Sequence, residues 1–418
     1  MRAPVDSSDG RRQRLRGGRP DFLAVDFFCG AGGTTRGLID AGGYVIAGID
    51  KDPRCERTYV ENNRNKCVDL VARFLNYDVF PRTGNYPAGD QRQLMNELDE
   101  LIPYYRGKEK GVPLLFAICA PCQPFTRLAR KQMSDDRLER RARDMNLLRE
   151  ACRFVRRYRP ELVLSENVAG IDDPKYGGVW EGFRKTLERE GYATGSKVVC
   201  ASRFGVPQFR KRSILMAVRR ELVRPERFAD FLEKELLVPE GDPNAAMVSV
   251  AQAIGHLPPI SAGAVHPRVP NHRTRALSEI NFRRLVAAKP GKTNAYMDAA
   301  EHKDLALRCR QRVNRKLRQQ CFSDVYTRMA PDRPAPTITT KCHSISNGRF
   351  GHYDARQVRA LSLREAAILQ SFPDDYVFYP DDEIEPVARM IGNAVPPKLA
   401  GFYASYLVRS VAEPRRRD

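Results

Sequence analysis

No stretch of this 418-residue chain approaches the roughly 18 consecutive apolar residues that a membrane-spanning helix requires. The first twenty residues, ending in RRQRLRGGRP, have no apolar centre and read as a basic disordered arm (1–20), not a secretory signal. A disulfide framework is missing as well. The 10 cysteines fall at irregular intervals, so reduced thiols in a cytoplasmic setting are expected. Cys309, Cys321, Cys342 and His343 fit no standard zinc spacing, and no metal is expected. One C-x-x-C pair exists, Cys119 and Cys122, but it lies deep in the chain and is followed by Gln-Pro-Phe. A redox pair belongs instead at the opening of a thioredoxin-like unit. No internal repeat is found.

What the chain has in excess is positive charge. Its 71 Lys and Arg outnumber 51 Asp and Glu, for a formal net charge of +20. Cations that neutralise phosphates release condensed counterions, which favours a polyanionic partner such as nucleic acid. The length fits one large domain with a smaller one.

Short apolar runs at Phe22–Phe28, Tyr44–Ile49, Leu114–Ile118, Glu161–Ser165, Lys197–Ala201 and Ser213–Val218 read as strands. Leu138, Ala142, Met145, Leu148, Cys152 and Val155 recur at three- and four-residue steps, which is one face of a helix. Strands separated by helices predict an α/β fold whose mostly parallel sheet is covered on both faces. From about Val248 to about Phe350 the sequence turns irregular and richer in Pro, His and Arg. Its basic run Arg308–Gln320 reads as a solvated helix face or a phosphate contact. Helical patterning returns at LSLREAAILQSF and from VPPKLAGFYASYLV onward.

VDFFCGAGGTTRGL reads as a strand, a glycine turn and a helix start. Gly30 and Gly32 let backbone amides approach a ligand, and the helix N-terminus favours a negative group there. Asp50, about twenty residues on at the next strand's end, suits two ribose hydroxyls. Asp78, after a third apolar stretch, suits an adenine amino group. The G-x-G-G spacing, in place of G-x-G-x-x-G, disfavours a dinucleotide slightly and fits S-adenosylmethionine better, since its short carboxylate tail needs a glycine turn but no room for a pyrophosphate. A second stretch, APCQPFT (Ala120–Thr126), follows the strand at Leu114–Ile118. Pro121 and Pro124 stiffen that turn and present the Cys122 thiol at a strand tip, as a nucleophile requires.

In order along the chain, six motifs closely resemble those of the bacterial-type DNA (cytosine-5) methyltransferase family. They are DFFCGAGG, APCQPF, ENV (Glu166–Val168), QFRKR (Gln208–Arg212), RALSLREAAILQSFP and IGNAVPP. The resemblance implies a Rossmann-like S-adenosylmethionine-dependent methyltransferase fold. Its catalytic and cofactor-binding domain would span 21–248, completed by 376–418, with a smaller target-recognition domain and hinge at 249–375. The implied reaction moves a methyl group from S-adenosylmethionine to carbon 5 of a flipped-out cytosine in a specific double-stranded DNA sequence. It would do so in a restriction–modification system, beside a cognate restriction endonuclease, or as a solitary enzyme. By the same resemblance Phe28 packs on the cofactor, Asp50 takes the ribose, Asp78 and the backbone of Val79 take adenine, and Asn393 takes the methionine end. Two positions depart from the family: Lys51 where some members stack an aromatic residue, and Ala394 where some have serine.

Cytosine carbon 5 is a poor nucleophile until a thiolate adds to carbon 6 and makes the ring an enamine. Cys122 is the candidate for that thiolate. The charge that develops on the ring calls for an acid at nitrogen 3, and a carboxyl enclosed with an uncharged ring is pushed toward its protonated form. Glu166 is the expected acid, with Arg212 supporting it and Arg210 holding the ring oxygen. A base inside a duplex must first be flipped out. By analogy Gln123 would fill the gap, and Arg127, Arg130 and Lys131 on the charged loop are candidate phosphate ligands. Among the rivals, a tRNA cytosine-5 methyltransferase shares the threonine of PCQPFT and resembles CFSDVY (Cys321–Tyr326), whereas RMAPDRPAPTITT favours the DNA type. An inactive DNA-binding relative is opposed by the intact Cys122, Glu166 and glycine turn. A nicotinamide or thioredoxin-like oxidoreductase leaves ENV and QFRKR unexplained. The expected location is the cytoplasm, at the nucleoid if the cell is bacterial.

Overall fold

Phe22–Phe27 (β1), sequence FLAVDF, is buried along its whole length. Side chains of a strand alternate between faces, and here both faces are covered. Leu23, Val25 and Phe27 enter one hydrophobic core, while Phe22 and Ala24 enter another. The computed structural model describes residues 18–66, 70–84, 86–121, 146–173, 178–223, 238–307 and 322–411.

Six more strands complete the sheet: β2 (Gly43–Ile49), β3 (Arg73–Leu75), β4 (Leu114–Ile118), β5 (Leu162–Val168), β6 (Tyr192–Cys200) and β7 (Lys211–Arg219). Their order is β3-β2-β1-β4-β5-β7-β6. Strands β1 to β5 pair in parallel, and β7 runs antiparallel between β5 and β6. The expected mostly parallel α/β sheet is therefore present. The short β3 is not among the expected strands, and two others differ most from the sequence reading in extent. β5 continues past Ser165 to Val168, which makes Glu166 a strand residue. β6 begins at Tyr192 because nine residues of pairing with β7 override the turn-like Thr194-Gly195-Ser196.

Helices α1 (Gly33–Asp40), α2 (Gln91–Lys108), α3 (Leu147–Tyr158), α4 (Leu363–Leu369), α5 (Ile384–Asn393) and α6 (Pro397–Val411) frame the sheet. Leu94 and Leu98 of α2 and Leu148, Cys152 and Val155 of α3 cover one face. Leu38 of α1 and Leu399, Tyr403 and Leu407 of α6 cover the other. The buried stripe of α3 is the one its periodicity predicts; the expected positions 138–145 lie outside the described residues. No helix among the described residues is long and apolar enough to cross a membrane.

Beyond residue 248 the chain forms a separate two-stranded sheet with the residues just ahead of β7. Ala335–Pro336 pairs in parallel with Gln208–Phe209. Val250, Ile254 and Ile338 share a third core with α4, α5, Ala31 and Cys55. Helix α4 opens on a capping box, in which Ser362 and Glu365 satisfy each other's backbone amides. Among the described residues a fourth core holds Leu285, Ala288, Ile345 and Ala360 as its buried apolar side chains. Its other central side chain is charged. The fully buried Arg328 donates to the carbonyls of Leu285, Ala288, His352, Asp354, Ala355 and Gln357, and burial pushes its pKa down to about 10.

Candidate active site

Strand order reverses between β1 and β4, and ligands of open parallel sheets gather at the carboxyl ends beside such a switch. A cavity of about 270 Å³ opens there. Phe28 and Gly30 after β1, Asp50 after β2, Pro121 after β4, Glu166 of β5 and Arg212 of β7 all line it. Asn393, at the end of α5, closes the far side with Arg389 and Met390.

The turn after β1 is left-handed at Phe28 (φ 62°), Gly30 (φ 51°) and Gly32 (φ 90°). The two glycines serve different ends. A Cβ on Gly30 would meet no atom within 4 Å, so it would stand in the space the cavity offers a ligand. A Cβ on Gly32 would come within 2.3 Å of Asn63 Nδ2 and 2.7 Å of Tyr376 Oη. Those two groups brace the turn from behind: Asn63 donates to Tyr376 Oη, and Tyr376 donates to the Ala31 carbonyl. Gly32 is thus required by packing and does not line the cavity.

Asp50 accepts from the amides of Gly30 and Asp52, each at 2.9 Å, while burial pushes its pKa upward. Neither Asp78 nor Val79 lines the cavity. The Asp78 carboxylate accepts from the Phe80 amide at 3.1 Å, and the Val79 carbonyl accepts from Gln91 at 2.8 Å. Below the turn lies Asp26, fully buried, which accepts from Thr35 Oγ1 at 2.7 Å. Burial pushes its pKa up to about 7, against the pull of the Thr35 hydroxyl.

Across the cavity Arg212 Nε stands 2.7 Å from Glu166 Oε1, with side chains about one-tenth exposed. Arg212 Nη1 also donates to the Lys211 carbonyl at 2.7 Å, which fixes the guanidinium. An ionic pair that shares its cavity with a glycine turn and with Ala120 and Pro121 fits the order of the six motifs. A profile of the C-5 cytosine-specific DNA methylase family covers residues 106–409.

The chain belongs to that family. It is 33% identical over 387 residues to the type II methylase M.HgiDII of Herpetosiphon aurantiacus, spanning 92% of this chain and 94% of that one. It is 26% identical over 396 residues to the type II methyltransferase M1.HphI of Haemophilus parahaemolyticus, spanning 92% and 86%. In fold it resembles a protein described as a DNA modification methyltransferase encoded within an E. coli prophage. The TM-score is 0.62 at 20% identity, over 94% of this chain and 100% of that one. The protein is therefore a DNA cytosine-5 methyltransferase.

Arg210 of the methyltransferase is bound mainly to its own backbone. Its Nη1 donates to the Ile338 carbonyl at 3.0 Å, and Nη2 to those of Gly392 and Ala394 at 3.2 Å. Gln208 performs a similar task, bridging Leu369, Gln370 and Ile338. Arg210 binds the start of β7 to the segment that carries Asn393, and Gln208 binds it to the end of α4. Cys119 lines the cavity too, but burial beside Glu166 pushes its thiol well up, which makes it a poor nucleophile at neutral pH. Cys122, Gln123, Arg127, Arg130 and Lys131 lie outside the described residues, as does the basic run 308–320. Arg54, Cys55, Arg389 and Met390 line the cavity without any motif to mark them. Arg389 and Met390 precede Asn393 by four and three residues on α5, and that helical spacing is the signal that would have found them.

Proposed function

We propose that this methyltransferase takes its methyl group from S-adenosylmethionine and delivers it to a cytosine flipped out of duplex DNA, through a transient bond at Cys122. The observation that carries this reading is the shared cavity of the glycine turn, Pro121 and the Glu166–Arg212 pair. The residues present fit the cofactor. Gly30 leaves open the volume a Cβ would fill, and the Asp50 carboxylate lines the same space. When bound, the cofactor supplies a sulfonium methyl. Phe28, Gly30, Asp50 and Asn393 would hold it from the cavity, and Asp78 with the backbone of Val79 would take its adenine, as the family resemblance implies.

On the base side, the Cys122 thiolate adds to carbon 6, and the displaced electron pair spreads over carbon 5 and nitrogen 3. Glu166 hydrogen-bonds the ring at nitrogen 3 and the exocyclic amine, with Arg212 fixing its carboxyl. After carbon 5 gains its methyl it loses its proton to a base, the carbon–sulfur bond breaks, and the thiolate leaves. Gln123 fills the vacated stack, and Arg127, Arg130 and Lys131 contact phosphates. Residues 249–375 form the target-recognition unit and its hinge. Likeness to type II methylases supports a restriction–modification role in the cytoplasm, with a cognate restriction endonuclease. Incubation with labelled S-adenosylmethionine and either duplex DNA or tRNA, followed by bisulfite sequencing, tests the reading. The expected result is 5-methylcytosine at one recurrent DNA sequence; methylation confined to tRNA overturns it.

A further inference from the structure

We infer that Asn167 is a positioning residue for nucleophilic addition, setting the separation between Glu166 and the loop that carries the thiol. The inference rests on the reading of Cys122 as nucleophile. Strands β4 and β5 pair at Leu115–Leu162, Phe116–Val163 and Ala117–Leu164, and the backbone ladder then stops. Side chains continue where it ends. The Ser165 hydroxyl donates to the Ile118 carbonyl, and Asn167 Nδ2 donates to the Ala120 carbonyl at 3.0 Å. The other end of the carboxamide is fixed as well, since Asn167 Oδ1 accepts from the Val168 amide at 2.9 Å. Asn167 is fully buried.

Backbone ladders hold strands about 4.8 Å apart. Past Ala117 and Leu164 no backbone pair of the two strands sets that spacing, and the Ser165 and Asn167 side chains span the gap instead. Glu166 forms one wall of the resulting gap, and Ala120 with Pro121 forms the other; all three line the cavity, whereas Asn167 does not. Strand alternation turns Asn167 away from Glu166, so the two act on the gap from different sides. The Ala120 carbonyl is the last anchored group before Pro121 and Cys122, and the proline transmits its placement stiffly.

The test reads addition alone. When a thiolate adds to carbon 6, carbon 5 takes up a solvent proton, and reversal releases the original one. DNA carrying 5-tritiated cytosine at the methylated site therefore loses tritium to water without any methyl donor. Asn167→Ala and Asn167→Asp are expected to slow this exchange roughly 10- to 100-fold, with DNA KM and S-adenosylhomocysteine affinity within about twofold of wild type. Wild-type exchange in a variant that still binds S-adenosylhomocysteine overturns the inference. Loss of that binding in both variants also overturns it, because the bond then serves the fold alone. Cys122→Ala separates the two ideas. Exchange by this variant overturns the nucleophile reading and the inference with it, whereas its silence beside normal exchange by the Asn167 variants defeats the inference only.

Discussion

Arg212 Nε contacts Glu166 Oε1 at 2.7 Å although the two residues are not opposite each other in the sheet. Ile214 stands opposite Glu166, and Arg212 stands opposite Val168. Two-residue alternation puts Glu166 and Val168 on one face, and the long arginine stem spans the diagonal. Glu166→Gln is expected to lower the single-turnover methylation rate by roughly two to four decades. Arg212→Ala should act through the same carboxyl, so the double variant should lose far less than the sum of the two. Additive losses would separate the pair.

The two glycines of the turn make opposite predictions. Gly30→Ala should weaken S-adenosylhomocysteine binding, because its Cβ enters ligand space, and should cost only about 1 kcal/mol of stability for its left-handed backbone (φ 51°). Gly32→Ala should lower the melting temperature first, because its Cβ collides with Asn63 and Tyr376. Titration calorimetry beside thermal unfolding distinguishes them, and matching behaviour of the two variants would contradict the assignment.

Asp26 links stability to pH. Its folded pKa, about 7, lies above the ordinary 3.8, so the folded chain holds a proton that the unfolded chain releases. Stability from this group is full below about pH 4 and is lost as pH rises through about 7. Asp26→Asn should therefore gain on wild type as pH rises, by roughly 2–4 kcal/mol at pH 8. Urea unfolding at pH 5 and pH 8 measures the difference. A gap that does not widen contradicts the buried, protonated state.

Arg328→Met removes the donor shared by six carbonyls around the fourth core, and should destabilise that region by roughly 2–5 kcal/mol. The expected signature is an early unfolding transition with weakened DNA binding and near-normal S-adenosylhomocysteine affinity. Unfolding identical to wild type would show that the cation is dispensable.

The sheet and the cavity were legible in the sequence because apolar runs such as FLAVDF and LLFAI leave little alternative to buried parallel strands. The first turn of β6 was not, since Thr194, Gly195 and Ser196 carry turn chemistry and only nine residues of pairing with β7 make them a strand. Gly30 and Gly32 look alike in sequence, and only the tertiary position of Asn63 and Tyr376 separates their roles. The region after residue 248 was least legible for a physical reason. Hydrophobic patterning assumes that charge faces water, whereas Arg328, Arg359 and Arg364 are almost wholly buried there. Arg359 pairs with the equally buried Glu365, and Arg364 donates to the carbonyls of Pro270 and Tyr376.

The most direct measurement replaces the target cytosine with 5-fluorocytosine in a duplex carrying the methylated sequence. Fluorine at carbon 5 cannot leave as a proton does, so the carbon–sulfur bond persists. In the presence of S-adenosylmethionine the account predicts a stable protein–DNA adduct whose crosslink maps by mass spectrometry to Cys122. A crosslink at Cys119 or any other residue, or none during turnover, would contradict it.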